Sequence, residues 1–209
     1  MNKVIQMKQA TVKPNDKKLL LINIGTAIFT QKGFSITSLD EIVEIAEIPK
    51  GSFYYYFKSK DEFAIEVIKN YGIYFSKKLQ RILSNDKKSP LERLKEFTKE
   101  AEAGVKRYEF KRGCLIGNLG QEMATLEERF RIELLNVMAD WRDQVRQCID
   151  LAKARREIKT TVDASELANF FWCAWEGAVL CSKLELSTQP LNIVSRLFIT
   201  ELLLSLIHI

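Results

Sequence analysis

Thr37-Ser38-Leu39-Asp40-Glu41-Ile42-Val43-Glu44-Ile45-Ala46-Glu47-Ile48-Pro49-Lys50-Gly51-Ser52-Phe53-Tyr54-Tyr55-Tyr56-Phe57-Lys58-Ser59-Lys60 holds the signals for two short helices in quick succession. Thr37 or Ser38 caps the first, which runs to about Ile45, with Asp40 or Glu41 completing a capping box. A turn at Ala46–Ile48 follows. Pro49 then stands where proline is favoured, at the start of a second helix that runs to about Phe57. Helix, tight turn and short helix make a helix-turn-helix, the geometry that lays its second helix in the major groove of DNA.

The second helix is divided by face. Phe53 and Phe57, four residues apart, share the inward side, which leaves Lys50, Ser52, Tyr54 and Tyr55 outward or toward the helix start. Core packing is the ordinary use of clustered aromatics, but five in a row on one helix cannot all point inward. Exposed tyrosines beside lysines suit phosphate and thymine-methyl contacts. Residues 1–60 carry nine lysines against five acids, most of the net +5 of the whole chain. That is the charge expected of a surface facing a polyanion. The same sixty residues hold no arginine, so the bidentate arginine–guanine fork is absent and an A·T-leaning site is expected.

Outward from this stretch the chain reads as all-α, with about nine helices. A polar arm over 1–15 precedes a helix from Asp16 to Lys32, which Gly33 ends. Ser59-Lys60-Asp61-Glu62 opens a long helix to about Leu83, and Ser89-Pro90-Leu91-Glu92 opens one to about residue 108. Residues 109–120, interrupted by Gly113, Gly117 and Gly120, read as irregular or weakly helical. Helices over about 126–157, from Asp163 to about Leu186, and from Pro190 to the end complete the count. The division is a DNA-binding head over 1–60 and a larger helical domain over 61–209.

Several classes of function are disfavoured. The four cysteines form no CxxC pair and the single histidine is His208, so no zinc site and no cofactor is expected. Neither a signal peptide nor an apolar run of membrane-spanning length is present, which points to a cytoplasmic chain with no membrane partner. The nucleophile-elbow, dinucleotide-loop and zincin patterns are also missing, so the chain does not read as an enzyme.

The run from Thr37 to Glu62, with Gly33-Phe34 before it, resembles the signature of the tetracycline-repressor (TetR) family. The resemblance implies a homodimeric all-α repressor whose head reads double-stranded operator DNA and whose larger domain binds a small-molecule inducer. By position, Lys50, Gly51, Ser52 and Tyr55 would approach bases, while Thr37, Ser38, Tyr54, Tyr56 and Lys60 would hold phosphates. Ile48-Pro49 departs slightly from the commoner Val-Ser of the family.

The sensor is sought in Arg112-Gly113-Cys114-Leu115-Ile116-Gly117-Asn118-Leu119-Gly120-Gln121-Glu122, which lacks the Lys-Ser/Thr pair of a phosphate loop. One reading is a kinked, tightly packed helix with Cys114 as a small buried hydrophobe. The other is a reactive thiol, with Arg112 nearby to favour the thiolate. A Gly-Cys-Leu segment, together with Trp175-Glu176-Gly177-Ala178 and Lys183, resembles the branch that includes the repressors of N-ethylmaleimide reductase and acrylate metabolism. That resemblance implies an electrophile- or oxidant-sensing Cys114 with Lys183 as neighbour. The competing view is a reversible apolar pocket lined by Trp141, Phe170, Phe171, Trp172 and Trp175, with Arg112 or Arg142 meeting a carboxylate. Leu191, Val194, Phe198, Leu202 and Leu206 continue an apolar stripe that suits a homodimer through the last two helices.

Overall fold

The computed structural model describes residues 14–205. Most of the expected N-terminal arm, and His208 with the chain end, lie outside the described residues. Among the described residues nine α-helices follow one another: α1 (Pro14–Lys32), α2 (Leu39–Ile45), α3 (Lys50–Tyr56), α4 (Lys60–Leu83), α5 (Pro90–Arg107), α6 (Leu115–Met123), α7 (Glu128–Ala154), α8 (Ala164–Glu185) and α9 (Gln189–Leu197). A π-helical segment, Phe198–Leu204, continues α9.

The caps act as their side chains dictate. Ser38 accepts the Glu41 amide at the start of α2, and Ser59 accepts that of Glu62 at the start of α4. Ser89 and Glu92 form a reciprocal capping box on α5. The buried Arg93 donates at 3.0 Å to the Leu83 carbonyl, which the end of α4 leaves bare, and at 3.0 Å to the Lys88 carbonyl in the loop that follows.

Phe53 and Phe57 lock α3 in place, with Phe63 of α4 5.3 and 4.9 Å from their ring centroids. The core of the larger domain is aromatic as well: Trp141 of α7 lies 5.2 Å from Trp172 of α8 and 4.4 Å from Phe75 of α4. The head and the larger domain share one continuous apolar cluster.

Two expectations are corrected. Residues 109–114 are irregular as expected, but 115–123 form a regular helix, in which Gly117 leaves room for the Glu176 carboxylate and the backbone stays helical. The described part of the last helix's apolar stripe also points inward: Leu191 and Phe198 are buried in their own chain, Val194 and Leu202 pack half-buried against the core, and Leu206 lies outside the described residues. The apolar side chains that α8 and α9 leave exposed are Phe170, Leu180, Leu184, Ile193 and Leu197.

Candidate functional site

α2 and α3 present a polar, tyrosine-rich surface. Tyr55 is 77% exposed, with Tyr54 beside it at 52% and Tyr56 half-buried against Tyr55, centroids 4.9 Å apart. Lys50, at the start of α3, is exposed and pairs with Asp40 of α2 at 2.7 Å. Gly51 is exposed, and a Cβ there would meet nothing within 4 Å, so packing alone does not require glycine. Ser52 is half-buried and Ser38 exposed.

Two expected phosphate ligands turn their side chains inward. Thr37 is 1% exposed and its hydroxyl donates to the Gly33 carbonyl at 2.7 Å, as the buried hydroxyl requires a partner. The Lys60 ammonium donates to the Phe34 carbonyl at 2.7 Å and sits 4.0 Å from the Phe34 ring centroid. Burial lowers its pKa from the ordinary lysine value, with the carboxylates of Asp61 and Glu122 opposing that shift.

A cavity of about 450 Å³ opens where α1, α4, α5, α8 and the start of α6 meet. Tyr71, Phe75, Trp172 and Trp175 form apolar and aromatic walls, Thr26 and Thr30 add hydroxyls from α1, and Lys78, Arg107 and Arg112 add cations. Cys114 and Glu176 line it together. Glu176 fits because residue 117 is glycine: a Cβ there would come within 2.2 Å of its carboxylate oxygen.

Burial pushes Glu176 up to about 7, even though the Cys114 thiol hydrogen-bonds to it. Burial, and then the charge of Glu176, push Cys114 well above the ordinary thiol value. The Tyr71 phenol is raised likewise by burial and by these two neighbours, with the nearby Leu115 amide opposing the shift. Arg112 does not offset this: its guanidinium stacks 4.4 Å from the Tyr108 ring centroid. The thiol itself is thus governed by burial and by the Glu176 carboxyl rather than by the Arg112 guanidinium, which was expected to favour a thiolate.

Residues 21–67 match the family described as "Bacterial regulatory proteins, tetR family", and residues 90–198 match "Tetracyclin repressor-like, C-terminal domain". The chain belongs to the tetracycline-repressor family. This TetR chain is 43% identical to the transcriptional regulator AcuR of Cereibacter sphaeroides, over 85% of its own length and 81% of that protein's. It is 30% identical to the transcriptional repressor DhaR of a Mycobacterium species, over 82% of this chain and 85% of the other. A crystal structure of a regulatory protein TetR from Rhodobacter sphaeroides superposes with a TM-score of 0.83 at 42% identity, covering 87% of this chain and 96% of that one. The reduced form of Escherichia coli NemR shares the fold, with a TM-score of 0.81 at 22% identity over 91% and 98% of the two chains. Like its relatives, this TetR-family chain is a DNA-binding transcriptional regulator and not an enzyme.

In this TetR-family chain the structure brings Arg112, Cys114, Trp172 and Trp175 to one cavity. It does not bring the other expected pocket residues there. Trp141 and Phe171 are spent in the aromatic core, Phe170 faces outward, and Arg142 does not line the cavity. The stem of Lys183 lies over Gly113, 3.2 Å from where a Cβ would stand, beside Cys114 in sequence but outside the cavity lining. Sequence reading passed over Tyr71 and Glu176. Glu176 carried a faint signal, since it stands in the Trp-x-Gly-Ala segment on a helix side otherwise made of Trp172, Trp175 and Val179. Nothing in the sequence marked Tyr71. Among the described residues no His, Cys, Asp and Glu cluster is arranged to hold a metal, and no helix is long and apolar enough to cross a membrane.

Proposed function

We propose that this regulator is a cytoplasmic, homodimeric repressor that leaves its operator when a small molecule occupies the cavity at Cys114. The observation that carries the reading is the position of that cavity, walled on one side by α1 of the head and on the others by helices of the larger domain. An occupant touching both can favour one arrangement of the head over another, and induction requires such differential affinity. The head comprises residues 1–60 and the inducer-binding domain 61–209. Ser38, Lys50, Gly51, Ser52, Tyr54, Tyr55 and Tyr56 meet the DNA, while Thr37 and Lys60 shape the head from within. Phe170, Leu180 and Leu184 of α8, with Ile193 and Leu197 of α9, form the homodimer face; left bare in a monomer they would be a costly apolar surface.

Two modes of sensing fit this site. Alone among the four cysteines, Cys114 faces the cavity, which supports capture of an electrophile or oxidant by its thiol. The raised thiol pKa and the cations Lys78, Arg107 and Arg112 favour instead reversible binding of a small hydrophobic carboxylate. A Cys114→Ser variant separates them: loss of electrophile-driven release from DNA supports the covalent mode, and unchanged release refutes it. Selection of sites from random DNA tests the head, with A·T-leaning half-sites expected and G·C-rich half-sites refuting the arginine-free recognition.

A further inference from the structure

α6 begins at the cavity and ends on the head. Cys114 is its N-cap residue and lines the cavity together with Tyr71. One turn on, the Asn118 side-chain amide donates to the carbonyls of Thr30, at 3.0 Å, and Phe29, at 3.4 Å, near the end of α1. The Gly113 amide donates to the same Thr30 carbonyl at 3.0 Å. A further turn on, the two carboxylate oxygens of Glu122 accept the backbone amides of Phe34, at 2.8 Å, and Ser35, at 2.5 Å, in the loop that leads into α2. Residues 118 and 122 are four apart and share one helix side.

The loop is held from the other side as well, by Lys60 on the Phe34 carbonyl. Room for this contact depends on Gly33, whose φ is +90° and whose Cβ, if present, would lie 2.7 Å from the Glu122 carboxylate. The amides of residues 34 and 35 and the carbonyls of residues 29 and 30 are the backbone groups that fix where α2 and α3 sit relative to α1. Each has a partner on α6.

The geometry points to α6 as a strut that transmits the state of the cavity straight to the helix-turn-helix, with Glu122 as the positioning residue at its head end and Asn118 as its pivot. This rests on the cavity being the inducer site. Coupling between sites is reciprocal, so DNA binding must be felt at the start of α6 without any inducer present.

The test is amide hydrogen exchange on the full-length dimer, with and without a DNA duplex carrying a site selected from random sequence. In the native protein, DNA slows exchange over residues 113–118 by at least about fivefold, the lower end of ordinary allosteric coupling. In Glu122→Gln, whose amide group turns a donor toward a donor, the protein still binds the duplex but the slowing stays within residues 33–60. Asn118→Ala gives the same confinement and serves if the first variant does not fold. Native-like slowing at 113–118 in a folded variant, or none in the native protein, overturns the proposal. If Cys114→Ser and ligand screens show the cavity to be unused while the variants behave as stated, the inducer reading fails and the linkage through α6 stands.

Discussion

Replacing Glu176 with glutamine keeps the side chain's shape and removes its titration. Folding raises this carboxyl from an ordinary 4.5 to about 7. Between those values the folded protein holds a proton that the unfolded chain has lost. Stability therefore falls as pH rises through that window, and it stays low above it. The 2.5 pH-unit separation corresponds to a ceiling of about 3 kcal/mol at 1.36 kcal/mol each. Water in the cavity and local relaxation reduce it, so about 1.5–3 kcal/mol is expected. The assay is thermal unfolding of native and Glu176→Gln protein at pH 5 and pH 8, at one fixed protomer concentration because dimers melt concentration-dependently. At pH 5 the two should lie close together. At pH 8 the variant should gain on the native protein by roughly 3–12 °C, at 2–4 °C per kcal/mol for a chain of this size. The Cys114 thiol should also alkylate faster in the variant at pH 8, since the carboxylate that raises its pKa is gone. A difference in melting temperature that does not change with pH would refute the reasoning, because it would mean that Glu176 titrates normally.

Three other perturbations test separate parts of the molecule. Asp40→Asn frees Lys50 from its exposed ion pair and removes a negative charge from the surface proposed to meet DNA, so affinity for a selected duplex at low salt should rise about threefold; weaker binding, by fluorescence anisotropy, counts against the proposed face. Gly33→Ala forces a side chain into a left-handed conformation and against Glu122, and denaturant titration should show a loss of about 1–2 kcal/mol. Leu184, 75% exposed on α8, should abolish dimerisation when changed to glutamate, a change sedimentation velocity would report; a persistent dimer places the interface elsewhere.

The helix-turn-helix was legible because its signals are local. Ser38 and Ser59 cap helices by reaching amides three residues away, and Phe53 and Phe57 share a helix face by their spacing alone. No knowledge of the rest of the chain is needed for either. Glycine-rich residues 113–120 misled for the opposite reason. Gly117 is set by a carboxylate from α8 that lies 59 residues away in sequence, and no periodicity within α6 records it.

The sequence by itself determined the all-α class, the helix order and the helix-turn-helix near the start of the chain, because capping, turn chemistry and helical period act within a few residues. Tertiary structure alone decided the rest. It turned Thr37 and Lys60 inward, gave Trp141 to the core rather than the cavity, and set Cys114 against Glu176 and Tyr71 in place of a cation. Burial, neighbouring charge and the space between helices are properties of packing, and they fix both what a thiol or carboxyl can do and which side chains remain free to act.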